Sequence, residues 1–275
     1  MTSLSGAHVI VTGGSEGIGL ETARSAAGRG ARVSLIARRP EVLDTAAAQL
    51  GGDVAVATAD VSDPEATMAA MAEVVTHHGP ADVLIANAGY ALPGRFLELP
   101  ATEFRREMEV NYLGAVHAIR AVAPSMIERG RGHLVVVSST AGLMGVFGYS
   151  AYSPTKFALR GLAETLRAEL GPAGVRVAIA FPPDTVTPGF DRENESKPPE
   201  TEKISSTIKP ISSERMAAAI VRGIESDRLW ITADALTAAL VRGVGVLHPL
   251  LRALQDRDIR SVSREIPHAT PDRQD

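Results

Sequence analysis

The sequence predicts an α/β fold, a single doubly wound parallel sheet of about seven strands with helices on both faces. Three observations predict it. Short β-branched runs alternate with longer helical patterns from His8 to Phe181. The runs are almost wholly apolar, as strands covered on both faces must be. A glycine-rich turn joins the first run to the first helical pattern, as in a βαβ unit.

The strands expected are "HVIVT" from His8, "RVSLIA" from Arg32, "VAVAT" from Val54, "DVLIA" from Asp82, "HLVVVS" from His133 and "RVAIAF" from Arg176. Between them lie helical patterns over Gly17–Arg29, Pro40–Leu50, Pro64–His78, Ala101–Arg129 and Ser153–Leu170. After Phe181 the composition changes. The stretch 183–211 is rich in Pro, Ser, Thr and charge. It is too long for an ordinary connection, so it is read as a functional lid or as disorder, with Phe190 and Ile204 favouring a lid that packs. A helix over Ser213–Glu225 and a seventh strand near Leu229–Thr232 follow. An apolar helix is expected at about 234–254, with Leu236, Leu240, Val244, Leu247, Leu251 and Leu254 as its stripe. It either packs on the body or another subunit, or lies at a bilayer surface. Residues 1–263 read as one domain and 264–275 as a polar tail.

Composition narrows the function. The chain has 275 residues, a net charge of −4 and no cysteine. That leaves no thiol nucleophile, disulfide or thiolate metal site, and no basic face for nucleic acid. The histidines lack ligand spacing, and adjacent His77 and His78 are expected on different helix faces, so no metal is expected. No apolar run is unbroken at membrane-spanning length. A cytoplasmic protein is expected, with peripheral membrane contact through the C-terminal helix as the alternative.

In "VTGGSEGIGLETA", Gly13, Gly17 and Gly19 suit a tight turn that brings backbone close to a diphosphate at a helix N-terminus. Ser15 and Ile18 lie within the same turn. The second strand ends in Ala37, Arg38 and Arg39, where a non-phosphorylated dinucleotide calls for an acidic residue. Guanidinium suits a 2′-phosphate, so NADPH is favoured over NADH. Glu16 beside that site counts against it. "TADVS" places Asp60 and Val61 near an adenine ring, and "NAGY" places Asn87, Ala88 and Gly89 close to the cofactor. Asp60 as a cap and Asn87 as a simple turn remain open.

"GYSAYSPTKFALRGL" sets Tyr152 and Lys156 four residues apart, on one helical face. A nearby ammonium lowers a phenol's pKa towards a useful range. "VVVSSTAG" ends the fifth strand with Ser138 and Ser139, of which Ser139 is the better candidate to orient a carbonyl. Asn111 sits mid-helix, where an amide is unfavourable without a task. It either ties the helix to a neighbouring strand or serves the chemistry.

Together these motifs resemble the short-chain dehydrogenase/reductase family over Ala7 to about Thr232. That resemblance implies a Rossmann-type fold and a catalytic set of Asn111, Ser139, Tyr152 and Lys156. It makes Tyr152 the acid in carbonyl reduction and has Lys156 lower its pKa and hold the nicotinamide ribose. Ser139 positions the substrate oxygen, and Asn111 holds a water in the proton relay. Pro182 and Thr187 are implied at the cofactor. One departure stands out: "FPPDTVTPGF" has Pro183 where the family has glycine. That stretch, with "AYSPTKFALRGLAETL" and "NYLGAVHAIRAV", resembles the 3-ketodihydrosphingosine reductase branch. The branch implies reduction of a long-chain amino ketone, 3-ketosphinganine, in sphingolipid synthesis. Other hydrophobic ketones (3-oxoacyl lipid, steroid, retinoid) stay open, as does a non-catalytic dinucleotide-binding regulator. A homodimer or homotetramer is expected by resemblance alone.

Overall fold

The structure, a computed structural model, describes residues 2–206 and 208–263; the tail expected at 264–275 lies outside them. The chain order is β1 (His8–Thr12), α1 (Gly17–Ala27), β2 (Arg32–Ala37), α2 (Pro40–Leu50), β3 (Val54–Thr58), α3 (Pro64–His78), β4 (Val83–Ala86), α4 (Ala101–Glu107) and α5 (Gly114–Glu128). Then come β5 (Gly132–Val137), α6 (Tyr152–Leu170), β6 (Val175–Ala180), β7 (Thr185–Val186), α7 (Pro188–Asn194) and α8 (Pro199–Ser205). The last elements are β8 (Ile211–Ser212), α9 (Ser213–Glu225), β9 (Trp230–Ile231) and α10 (Ala235–Ser263).

The main sheet has seven parallel strands in the order β3-β2-β1-β4-β5-β6-β9. Alternation along each strand feeds two cores. Ile10, Leu84, Leu134 and Val136 face one layer, packed with residues of α3, α5 and α6. Val9, Val11, Val83, Ile85 and Val135 face the other, packed with residues of α1, α2 and α9. Every residue of β1 and β4 is buried. The chain winds outward from β1 in both directions, so the β1/β4 boundary is the switch point. Ligands of open α/β sheets bind there, at the carboxyl ends of the strands.

Two expectations change and one open reading is narrowed. The helix expected over Ala101–Arg129 is interrupted by a π-helical stretch, Met108–Leu113, between α4 and α5. The wider turn carries Asn111, which is fully buried, and such insertions often mark functional sites. The described residues of the 183–211 segment follow the packing alternative: β7 and β8 pair in parallel, and α7 and α8 lie between them in the chain. The C-terminal helix runs on to Ser263, and its buried seam is shifted from the expected stripe. Thr237 and Val241 are buried, whereas Leu236 and Leu254 are exposed. Leu240 packs partly against the core; Val244's side chain lies outside the described ones. Asp234 fixes the helix start by accepting from the Thr237 N–H at 2.8 Å.

Candidate active site

The glycine turn is held open by its neighbours. Gly13 and Gly17 adopt φ of 65° and 58°, conformations that side chains disfavour. A Cβ on Gly19 would stand 2.2 Å from the Gly13 carbonyl oxygen. Asn87 supports the turn from β4: its Nδ2 donates to the carbonyls of Thr12 (3.1 Å) and Gly13 (3.2 Å). The Thr12 hydroxyl accepts from the N–H groups of Asn87 and Ala88 at 3.1 and 3.2 Å. Asn87 is thus the turn's brace, and the turn borders a cavity of about 700 Å³.

Most of the residues singled out from the sequence line that cavity. Gly13, Ser15, Gly17 and Ile18 form one end, with Ala37, Arg38, Arg39 and Val61 nearby. Asn87, Ala88 and Gly89 form the floor, followed by Ser139, Tyr152, Lys156, Pro182 and Thr187. Asp60 is turned elsewhere. It accepts from the Ser62 N–H (3.0 Å) and hydroxyl (2.7 Å), and Arg38 stands 3.7 Å away. The helix cap of α3 is Asp63, not Asp60. Glu16, suspected of opposing a phosphate, is paired with Arg39 at 2.7 Å and with Arg192 of α7. The two guanidinium groups outweigh partial burial and hold its carboxyl below the usual range.

The catalytic candidates meet at the ends of β5 and β4. Ser139 hydrogen-bonds Tyr152, and its Oγ accepts from the Ala141 N–H at 3.1 Å. Ser138 is buried and donates to the Lys156 carbonyl at 2.9 Å. Strand alternation therefore separates the two serines as expected, with Ser139 on the tyrosine. Lys156 Nζ lies 5.3 Å from the Tyr152 ring centre and donates to the Val137 carbonyl at 3.2 Å. Asn111 Nδ2 donates to the Tyr90 carbonyl (2.9 Å) and to Thr155 Oγ1 (3.2 Å). Its Oδ1 accepts from the Tyr90 N–H at 2.9 Å. The tying role left open by the sequence is therefore present, joining the π turn to the loop after β4 and to α6.

One electrostatic expectation is corrected. Lys156 was expected to pull the Tyr152 phenol down, but the phenol is pushed well above its ordinary value. Burial and the Glu193 carboxylate raise it and outweigh the Ser139 hydrogen bond. Lys156 is itself lowered to about 8, because burial disfavours its charged form. The phenol is thus protonated at neutral pH, the form that donates a proton to a developing alkoxide.

The 183–211 segment closes over this centre. Thr187 caps α7, its Oγ1 accepting from the Phe190 N–H at 3.0 Å. A Cβ on Gly17 would lie 3.0 Å from Thr187 Cγ2, so the segment touches the glycine turn. Thr201 Oγ1 donates to the Phe147 carbonyl at 2.9 Å, and Arg95 pairs with buried Glu200 at 3.0 Å. The Tyr149 phenol donates to Glu193 of α7. Sequence reading set Tyr149 aside because no lysine stands four residues after it, and it missed Asp184, Glu193 and Lys197; Glu193 and Lys197 are four residues apart, but no short-range spacing joins them to Tyr149. Their signal is only the clustering of charge in a segment too long to be a plain connection.

A second constellation escaped the sequence. The ligand-capable atoms of Asp53, His77 and His78 lie within 4.8 Å of one another. His77 Nε2 is 2.8 Å from Asp53. Adjacency did not keep the two histidines apart, because the end of α3 brings both to the loop before β3. That loop is at the amino-terminal end of β3, whereas the cavity lies at the carboxyl ends of the strands.

Comparison with known proteins agrees with this geometry. The family described as short chain dehydrogenase matches residues 7–198. The 3-dehydrosphinganine reductase of Danio rerio is 43% identical over 233 residues, 80% of this chain and 68% of that protein. The 3-ketodihydrosphingosine reductase of Dictyostelium discoideum is 39% identical over 255 residues, 85% of this chain and 76% of that protein. Among solved structures, a short-chain dehydrogenase from Streptomyces avermitilis superposes with a TM-score of 0.78 at 30% identity. It covers 96% of this chain and 99% of that one. A glycine turn that a Cβ would fill, opening on a long cavity, fits the dinucleotide that such enzymes use, NAD or NADP. The chain therefore belongs to the short-chain dehydrogenase/reductase family and is an oxidoreductase acting on a keto or hydroxyl group.

Proposed function

We propose that the protein uses NADPH to reduce a long-chain 3-keto lipid, foremost 3-ketosphinganine to sphinganine. The observation that carries this reading is the company of Tyr152. The same cavity is lined by the glycine turn and Arg38 and by the apolar side chains of Leu92, Val146, Phe190, Ile204 and Ile208. An alkyl chain suits those side chains, and the named relatives act on such a ketone.

When bound, the nicotinamide supplies the hydride. The chain's residues do the rest. Ser139 orients the carbonyl oxygen, and Tyr152 donates its phenolic proton to that oxygen. Lys156 holds the nicotinamide ribose. Asn111 fixes the Tyr90 backbone and Thr155, and keeps the π turn against α6. Gly13, Ser15, Gly17, Ile18 and Gly19 receive the diphosphate, with Asn87, Ala88 and Gly89 beneath. Arg38 and Arg39 receive the 2′-phosphate, Val61 lies beside the adenine with Asp60 behind it, held by Ser62 and Arg38, and Pro182 and Thr187 close over the nicotinamide. Exposed Val246, Leu250 and Leu254 recur along α10 beside exposed Arg242 and Arg252, which supports peripheral contact with a lipid surface. No helix of the described residues is long and apolar enough to cross a membrane. The family habit of dimers or tetramers through α4–α5 and α6 is adopted as the assembly.

The deciding experiment is NADPH oxidation by the purified protein with 3-ketosphinganine in detergent micelles, with the product identified by mass spectrometry. Sphinganine formation is expected. Cofactor binding without consumption of this ketone, alongside turnover of another hydrophobic ketone, would replace the lipid named here.

A further inference from the structure

Beside the Ser139–Tyr152 pair, the segment over the cavity contributes charge that the chemistry above does not use. Asp184 and Glu193 both line the cavity. Glu193 takes the hydrogen bond of Tyr149, whose ring centre is 5.7 Å from that of Tyr152. Lys197 Nζ stands 3.2 Å from Glu193, with a side chain only 1% exposed. That ion contact is not a well-directed hydrogen bond. Asp184 is engaged by the Ser205 hydroxyl. Two partly buried carboxyl groups in the cavity wall therefore share one buried ammonium: the Glu193 side chain is 18% exposed and that of Lys197 1%, and Asp184 feels the Lys197 charge. Burial raises both carboxyl groups above their ordinary range, with Lys197 opposing. Partly buried carboxylates gain from matching positive charge, and a second cation beside Lys197 would favour the ionised form of both.

This argument rests on the functional reading above, because the ketone proposed there carries such a cation. In 3-ketosphinganine the ammonium sits on the carbon bonded to the carbonyl carbon. Whatever holds the carbonyl oxygen at Ser139 and Tyr152 therefore places the ammonium close by. We infer that Glu193, together with Asp184, is the recognition site for the substrate's ammonium group. Tyr149 aims the Glu193 carboxylate, and Lys197 keeps the pair from carrying two uncompensated charges before substrate arrives. The site selects amino ketones over plain ketones of equal chain length.

The test compares 3-ketosphinganine with the chain-matched ketone that has hydrogen in place of the amino group. The wild-type protein is expected to favour the amino ketone in kcat/KM by roughly tenfold or more, as for hydrogen bonds to a charged group. Glu193→Gln should collapse that preference towards unity, chiefly through KM for the amino ketone. Asp184→Asn should move it the same way by less. Sphinganine should inhibit the wild-type protein more strongly than the matched alcohol without the amine, a readout that needs no variant and covers the case of a poorly folding Glu193→Gln protein. Equal wild-type turnover of the two ketones overturns the inference. So does a Glu193→Gln protein that binds NADPH and loses both ketones alike, which would make Glu193 a pin for the segment. Those outcomes leave the functional reading standing. Failure to reduce either ketone, with other carbonyls turned over, overturns that reading and this one with it.

Discussion

Arg192 of α7 and Glu16 of the glycine turn form an ion pair across 176 residues of sequence. Glu16 also holds Arg39, so one carboxylate links the cofactor loop, the end of β2 and the segment above the cavity. Arg192 is about half exposed, at 54%, and exposed pairs contribute only about 0.2–1 kcal/mol. Arg192→Ala should therefore raise KM for NADPH by no more than about fivefold. Raised salt should narrow the difference between the wild-type protein and the variant.

Removing the phenolic proton tests the chemistry. Tyr152→Phe should lower kcat by roughly a hundredfold to ten-thousandfold, the usual span for a lost general acid. NADPH binding, followed by quenching of protein fluorescence, should stay nearly intact. Substantial turnover by this variant would remove Tyr152 from the mechanism.

Cofactor choice rests on Arg38 and Arg39. Arg38→Asp should shift the ratio of kcat/KM for NADPH over NADH by roughly ten- to a hundredfold towards NADH, the worth of a charged hydrogen bond. Its present partner Asp60 is exposed and 3.7 Å distant, so little stability is lost with it. An unchanged ratio would refute the assignment of the phosphate to this corner.

The cradle itself is sterically closed. Gly19→Ala would press a methyl against the Gly13 carbonyl, 2.2 Å from the ideal Cβ position. Overpacking of this kind costs about 1–3 kcal/mol. The melting temperature should fall, and stabilisation by added NADPH should be largely lost.

Buried titratable groups set opposite pH slopes. Burial lowers His133 to about 4. Between roughly pH 6.5 and 4 the unfolded chain therefore binds the proton that the fold refuses, and stability falls as pH falls. Glu107, with no exposed surface, is raised to about 8 by burial. Between its ordinary value and 8 the fold holds the extra proton, so stability falls as pH rises through that window. His133→Gln should flatten the acid limb of urea midpoint against pH, and Glu107→Gln the limb towards pH 8.

The inner strands were legible because both faces of each are buried, so apolar runs with turn residues at their ends mark them. Gly13, Gly17, Tyr152, Lys156 and Ser139 were legible because their tasks depend on short, fixed spacings. Glu193 and Tyr149 were not, because they meet only after the segment between them folds back over the sheet. The fall expected for the Tyr152 pKa failed for a related reason. Spacing reveals the ammonium four residues on, but not the carboxylates that burial gathers around the phenol. The stripe on α10 was read one residue out of place, since Thr237, a polar residue bound to Asp234, occupies the buried seam.

The wide turn at Met108–Leu113 acts as a phase shift in the helix that contains it. A π turn accommodates one residue more than the helical period allows, and one residue is about 100° of rotation. The faces of α4 and α5 therefore cannot be read from a single wheel. Deleting one residue from this turn would restore an unbroken helix with better local hydrogen bonding. It would also rotate everything upstream relative to α5 by about a quarter of a circle, taking either Asn111 from Tyr90 or Glu107 from Leu92, whose N–H donates to the Glu107 carboxylate at 2.8 Å. A shorter, more regular helix would be the less useful one.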